Sequence, residues 1–287
     1  MKLYQAKGFA AAWIIAAMLI ATVSNAGAPA TKALPAVPVY QPKHFPFDEG
    51  EQAVYHARWN GIPVGTAEVR AVPVVSDGKK FYRVRVEAQT SKALDLVWKM
   101  RDTISSTFDA RLLAPSRFVF NQRENSRVVD TEATYNPATK EWFVDRREPG
   151  KKPRVQRFEA GNTFDPITAV YLARSVDFKV GDKLLFNVFG GRSRYLLELA
   201  VQSKEPVTLE SGKTIDAYKI VPKVTNLSKK GYASRMNNAS IWISADERRM
   251  PVKLTSKIFV GTVQMELVED RAGTRSVLAD RPPKPAG

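Results

Sequence analysis

The chain has 287 residues, a formal net charge of +15 at pH 7 and no cysteine. The absence of cysteine excludes disulfides, thiolate metal sites, a cysteine nucleophile and a lipid-modified cysteine. So positive a charge suits contact with an anionic surface, and it serves solubility equally well.

The N-terminus has the layout of a secretory signal peptide. Lys2 and Lys7 accompany a nearly unbroken apolar run over residues 9–23, and Ser24-Asn25-Ala26 fits a cleavage site. The run is shorter than the roughly 20 apolar residues of a spanning helix. We therefore predict cleavage near Ala26, a periplasmic location and no retained transmembrane anchor. Anionic lipid and cell-wall polymers are then the available polyanions, and nucleic acid is not an expected partner.

The rest of the chain divides into three parts. Residues 27–45 are rich in Ala and Pro and predict a linker, and residues 271–287 predict a disordered tail. Between them, residues 46–270 alternate apolar and polar side chains with a period of two, which is typical of half-buried strands. The alternation predicts one β domain of roughly a dozen or more strands.

Two strand predictions are specific. Asn60-Gly61 is the pair preferred in a type I′ hairpin turn, and Pro63 just after it places this stretch at a sheet edge or a bulge, since proline donates no ladder bond. Residues 184–189 are apolar on both faces, which favours a central strand covered on both sides.

One segment reads as a short helix. Asp165 suits the N-cap and Pro166 the first helical position, while Ile167, Val170 and Tyr171 form an apolar stripe. We predict an all-β fold: one many-stranded, largely antiparallel, curved or spiral sheet of half-barrel shape, with this helix packed on its concave side.

Three stretches together resemble the domain of unknown function 3108 family of exported bacterial proteins. They are Tyr55 with Trp59-Asn60-Gly61-Ile62-Pro63-Val64-Gly65, Phe164-Asp165-Pro166 with Tyr171, and Trp242-Ile243-Ser244-Ala245-Asp246-Glu247-Arg248-Arg249-Met250-Pro251-Val252. The resemblance implies an envelope β domain and brings no activity with it. The chain is similar, at the level of fold alone, to half-barrel lipid and lipoprotein carriers of the periplasm.

Asp102 is the candidate for a chemical role. It falls within an apolar face that includes Trp98, Met100 and Ile104, and a buried carboxylate is costly unless it is paired. Asp102 is either a catalytic acid, an anchor for a polar ligand group, or part of a structural ion pair or bulge. No second acid pairs with it, no nucleophile motif occurs, and isolated histidines such as His56 make no metal site, so neither a metal nor a cofactor is expected.

A basic cluster surrounds the Pro149-Gly150 turn. Its members are Arg146, Arg147, Lys151, Lys152, Arg154 and Arg157. It is either a contact for anionic headgroups or a solvated hairpin.

Three functions remain open. The preferred one is a non-enzymatic periplasmic protein of envelope maintenance that holds a lipid or another amphipathic ligand in the curved sheet. Its candidate ligand-binding residues are Asp102, Trp98, Ile167, Val170 and Tyr171. The second is a module with a packed core that binds an envelope protein or the cell wall, and the third is a hydrolase of envelope polymers.

Overall fold

The computed structural model describes residues 36–47, 50–159, 161–227, 238–258 and 261–272. The predicted signal peptide and nearly all of the predicted tail lie outside these ranges. Within them, no helix is long and apolar enough to cross a membrane.

The described residues form fifteen strands and one α-helix. The strands are β1 (Glu51–Trp59), β2 (Ile62–Ser76), β3 (Lys79–Thr90), β4 (Arg101–Asp109), β5 (Pro115–Glu124), β6 (Arg127–Asn136), β7 (Glu141–Arg147), β8 (Arg154–Glu159), β9 (Thr163–Phe164), β10 (Lys183–Phe189), β11 (Arg194–Thr208), β12 (Thr214–Asn226), β13 (Ala239–Ser244), β14 (Pro251–Ile258) and β15 (Gly261–Ala272). The helix α1 spans Pro166–Ser175, and a 3₁₀ turn, Leu94–Leu96, precedes β4.

All fifteen strands belong to one open sheet, in the order β8-β7-β6-β5-β4-β3-β2-β1-β15-β14-β13-β12-β11-β10-β9. Neighbours are antiparallel except for β9 and β10, which are parallel. The sheet is so curved that its two edges approach each other. The Phe158 ring of β8, at one edge, lies 4.9 Å from the Phe189 ring of β10, next to the other edge. The predicted fold class, a curved antiparallel sheet with one helix, is confirmed.

The first hairpin forms as its sequence predicts. Asn60 and Gly61 both adopt positive φ angles, 48° and 83°, as a type I′ turn requires. The register of β1 against β2 shifts between Ala57 and Arg58, and Arg58 there opposes Pro63. The proline therefore lies at a bulge inside the sheet and not at an edge.

The prediction of a central position for residues 184–189 is wrong. This strand, β10, lies next to the end of the sheet, where its outer neighbour β9 has only two residues. Tyr40 packs against this strand: its ring lies 5.1 Å from the ring of Phe186, and its hydroxyl accepts the Leu185 N–H at 2.7 Å. Residues of the predicted linker thus cover the exposed edge of β10.

Helix α1 begins at a complete capping box. The Asp165 carboxylate accepts the N–H groups of Ile167 and Thr168 at 2.9 and 3.0 Å, and the Thr168 hydroxyl accepts the Asp165 N–H at 3.0 Å. Nine of its ten residues are buried, because the helix lies inside the curled sheet and contacts β4, β9 and β10. Only Val170 is partly exposed, so the helix is buried on nearly all sides and not along a single stripe.

Candidate functional site

A pocket of about 70 Å³ opens between α1 and the inner face of the sheet. Strands β1, β2, β11, β13, β14 and β15 form its wall, and α1 covers it. Apolar side chains line nearly all of it. The lining consists of Ala53, Tyr55, Val69, Ala169, Val170, Tyr171, Leu197, Leu199, Ile241, Met250, Pro251, Leu254 and Met265, with Glu51, Arg174 and Lys253 as the charged members.

A buried ion pair joins β1 to α1 beside the pocket. Arg174 Nη1 and Nη2 donate to the two carboxylate oxygens of Glu51 at 2.6 and 2.9 Å, and the Tyr171 hydroxyl donates to Glu51 Oε1 at 2.7 Å. The two charged side chains are only 2% and 3% exposed. The planar guanidinium also lies 5.4 Å from the centre of the Phe47 ring, a cation–π contact.

These contacts fix the charge states in the pair. Burial, the largest influence, raises the pKa of the Glu51 carboxyl, but the Arg174 charge and the hydrogen bonds from Arg174 and Tyr171 outweigh it. The pKa of Glu51 therefore lies below its ordinary value. Burial, assisted by the Glu51 charge, raises the pKa of the Tyr171 hydroxyl. Glu51 is thus ionised and Tyr171 neutral at physiological pH. These charge states suit a structural role for the pair better than a role in proton transfer.

The chemistry of the lining suits an apolar ligand. No cluster of potential metal ligands exists among the described residues, and the lining contains no serine, cysteine or histidine. Arg174 Nε is buried without a hydrogen-bond partner within the described part of the chain, so one N–H donor remains for a polar atom. An apolar cavity of about 150 Å³ holds one benzene molecule, so this pocket takes a short hydrocarbon segment.

The structure separates the predicted ligand-binding residues into two groups. Val170 and Tyr171 line the pocket. Ile167 is fully buried in the same helix but is not part of the lining. Asp102 in β4 and the half-buried Trp98 before it belong to the other half of the sheet, and neither contributes to the pocket.

Asp102 is buried, with 4% of its surface exposed, and it makes no ion pair among the described residues. The ladder between β4 and β5 stops at Thr103 and Asn121 and resumes as an isolated bridge between Met100 and Glu124. In this gap Asp102 Oδ1 accepts the N–H of Arg123 at 2.7 Å. The carboxylate therefore replaces a missing backbone acceptor, while its Oδ2 has no partner within the residues described.

Burial is the main reason that the pKa of Asp102 rises to about 6, and the negative charge of Glu124 adds to it. Glu124 is itself buried on the neighbouring strand β5, as is Gln122, and Thr131 is buried on the next strand, β6. Sequence reasoning found no second acid for Asp102 because Glu124 becomes its neighbour only through strand pairing. Asp102 can therefore hold a proton near neutral pH, and the described residues contain no group of potential metal ligands around it.

The prediction of a surface contact is wrong for Arg146. Alternation along β7 turns its side chain inward with Trp142 and Val144, so that it is 8% exposed. Its Nη1 donates to Thr131 Oγ1 at 3.2 Å and its Nη2 to Glu148 at 3.3 Å. Arg146 is thus a buried residue whose hydrogen bond to Thr131 links β7 to β6.

The other basic residues of that hairpin are exposed. Arg147 pairs with Asp145 at 2.6 Å and Lys151 with Glu148 at 2.5 Å, and the Arg157 guanidinium lies 5.6 Å from the centre of the Phe143 ring. Lys152 and Arg154 are also exposed around the β7–β8 turn. The hairpin therefore presents net positive charge at its tip.

Sequence reasoning missed the pocket's polar partner, Glu51. This residue alternates with Ala53 and Tyr55 on the inner face of β1, so the argument that singled out Asp102 would also have found it. The only local signal of Arg174 is its place as a cation in the last turn of the helix, where the helix dipole favours positive charge. Its pairing with Glu51 spans 123 positions of sequence, and no local pattern signals such a contact.

The chain matches one family of proteins and is similar in fold to a solved structure. The profile of a family described as "Protein of unknown function (DUF3108)" matches residues 54–268. No curated protein matches the sequence. Among solved structures, the chain is similar to a beta-barrel-like protein of domain of unknown function DUF1849 from Brucella abortus, with a TM-score of 0.52 and 11% identity over 80% of this chain and 99% of that one. At this identity the likeness shows the fold alone.

Proposed function

The chain belongs to the DUF3108 family, which is described as having no known function, and we propose that it is a non-enzymatic binding protein of the cell envelope. In this proposal it holds the hydrocarbon part of an amphipathic ligand, such as a lipid or the acyl chain of a lipoprotein, in the pocket under α1.

The apolar pocket is the observation that carries the proposal. A fold of this size can fill its interior with side chains, yet here a space of about 70 Å³ remains beside the one partly exposed residue of α1, Val170. Apolar pockets with a few convergent polar groups are the usual sites for small ligands. Arg174 Nε supplies such a group, because it is buried and unpartnered within the described residues.

The size of the pocket limits the ligand. It accommodates the end of one hydrocarbon chain, so the headgroup of a lipid remains outside the pocket. The predicted export to the periplasm supports the same class of ligand, because lipids and lipoproteins are abundant in the envelope. If the predicted signal peptide is removed, N-terminal sequencing of the periplasmic protein will begin at Gly27.

The test fills the pocket with a side chain. Val170→Trp should lower the affinity for a fluorescent fatty acid, dansyl-undecanoic acid, by at least about tenfold, because the indole occupies the volume that the chain needs. Val180→Trp, at a position that is 48% exposed in the turn before β10, is the matched control and should bind as the unaltered protein does. Thermal unfolding of both variants checks that they fold.

A second measurement identifies the natural ligand. Solvent extraction and mass spectrometry of the protein, purified from its native periplasm without detergent, should yield a near-stoichiometric lipid. Equal fatty-acid affinity in the two tryptophan variants, together with a lipid-free native protein, would contradict the proposal. That result would favour the module with a packed core, for which the exposed edge strand β8 offers unpaired backbone groups to a partner.

A further inference from the structure

The loop between β3 and β4 exposes two large apolar side chains side by side. Leu96 and Val97 are 88% and 77% exposed, and Leu96 is the most exposed large apolar residue in the described part of the chain. Lys92 and Lys99 are exposed on either side of them. Single exposed apolar residues are common on soluble proteins. Two adjacent and highly exposed ones, flanked by lysines, instead indicate a surface that contacts a partner.

This loop is held firmly in place. The Asp95 carboxylate accepts a hydrogen bond from Arg101 Nη1 at 3.0 Å and another from the Thr90 hydroxyl. The Trp98 N–H donates to the Leu94 carbonyl at 2.8 Å. Both Leu94 and Trp98 pack against the core.

A neighbouring turn also fixes the loop. Lys99 N–H donates to Asn125 Oδ1 at 2.8 Å, and Asn125 N–H returns a bond to the Lys99 carbonyl at 2.8 Å. Because the loop is anchored on both sides of its tip, Leu96 and Val97 point to solvent as a consequence of the fold and not of chain mobility.

Strand order brings other exposed groups to the same end of the sheet. In an antiparallel meander alternate turns share one end, so the β1–β2, β3–β4, β5–β6 and β7–β8 turns lie together. This end carries Ile62, which is 62% exposed, and the exposed cations Lys152 and Arg154 of the basic hairpin. The opposite end carries the β2–β3 and β4–β5 turns.

We propose that this end of the sheet docks on a membrane surface rich in anionic lipid. Leu96 and Val97 enter the boundary between headgroups and acyl chains, while Lys92, Lys99 and the β7–β8 turn contact the phosphates. Charge complementarity selects the anionic bilayer as the partner, because each cation near such a surface adds attraction and an apolar pair alone binds weakly. This surface is separate from the pocket and shares none of its lining residues.

The experiment measures binding of the mature chain to vesicles by sedimentation. The vesicles contain either phosphatidylglycerol with phosphatidylcholine or phosphatidylcholine alone. The double substitution Leu96→Ser with Val97→Ser should lower the partition coefficient on the anionic vesicles by at least about tenfold, since burial of both apolar side chains is lost. High salt should also release the unaltered protein, and neutral vesicles should bind it poorly.

A matched control lies at the other end of the sheet. Val75 and Leu112 are 67% and 66% exposed, so Val75→Ser with Leu112→Ser removes one valine and one leucine of the same kind. This control should bind as the unaltered protein does, and so should Val170→Trp, which tests the pocket. Equal binding of the two serine double variants would overturn the proposal, as would the absence of binding to anionic vesicles at low salt.

Discussion

At the scale of single residues, the buried pair of Glu51 and Arg174 joins the sheet to the helix. Each charge is tolerated only because the other neutralises it, and Tyr171 adds a hydrogen bond to the same carboxylate oxygen. Removing one partner leaves an uncompensated charge in the interior. Glu51→Gln should therefore lower the free energy of unfolding by about 3–5 kcal/mol, as measured by urea denaturation.

A double substitution separates the pair from the packing around it. Glu51→Leu combined with Arg174→Leu leaves no buried charge, and replacement of a buried ion pair by apolar residues is often close to neutral. The double variant should be more stable than either single variant. If Glu51→Gln unfolds at the same urea concentration as the unaltered protein, the pair does not hold α1 to the sheet.

Asp102 makes stability depend on pH in the unusual direction for an acid. Its pKa rises from 3.8 to about 6 on folding, so the folded state binds the proton more tightly than the unfolded state. Stability from this group is full below about pH 4 and declines as the pH rises through 6. Relative to Asp102→Asn, the unaltered protein should lose roughly 2–3 kcal/mol between pH 4 and pH 7, as measured by urea denaturation across pH.

The control for this titration is Asp77→Asn. Asp77 is exposed at the β2–β3 turn with a φ of 48°, and asparagine tolerates this backbone well. Its stability difference from the unaltered protein is measured at the same two pH values, and the change in this difference between them should be larger for Asp102→Asn, because the carboxyl replaced there is buried. A difference for Asp102→Asn that stays constant with pH would show that this carboxyl does not hold its proton as its burial implies.

At the scale of residues, the sequence alone predicts which side chains are buried, because burial follows the local alternation of apolar and polar residues. Alternation along β4 singled out Asp102 as buried, because its neighbours two positions away are apolar. It gave no sign that the partner would be a backbone N–H in a ladder gap, or that Glu124 would lie beside it. Such contacts arise from the pairing of strands, and a single amino-acid sequence does not specify which strands pair or in which register.

At the scale of elements, helix α1 is attached to the sheet through the residue that caps its N-terminus. Asp165 caps the helix and also accepts a hydrogen bond from the Ser106 hydroxyl of β4 at 2.6 Å. Asp165→Ala should cost about 1–2 kcal/mol for the lost cap and about 1 kcal/mol or more for the stranded Ser106 hydroxyl. Thermal or urea unfolding measures the loss.

Asp165→Asn is the matched variant, because its amide oxygen still accepts the N–H groups of Ile167 and Thr168. It should be clearly more stable than Asp165→Ala. Equal losses in the two variants would mean that the cap contributes nothing. The start of α1 was predictable from Asp165 and Pro166 because capping is local chemistry, whereas the position of β10 was not, because the covering Tyr40 lies 145 positions away in sequence.

At the scale of the whole molecule, the two ends of the domain meet in the middle of the sheet. β1 pairs with β2 on one side and with β15 on the other, from Glu51 opposite Ala272 to Trp59 opposite Val263. The two sheet edges, β8 and β9, are consecutive in the chain. A count of alternating segments predicted many strands in one sheet, but the closure of β1 on β15 has no local signature, since hairpin signals specify only neighbours in sequence.

This topology reverses the usual expectation that chain ends fray. β1 is hydrogen-bonded to a neighbouring strand along both of its edges, whereas β8 pairs only with β7 and exposes nearly all of its side chains. Amides that open only on global unfolding exchange slowest. In hydrogen exchange followed by mass spectrometry, peptides from β1 should therefore be among the slowest to exchange and those from β8 among the fastest. Exchange from β1 as fast as from β8 would show that the first and last strands do not form the centre of the sheet.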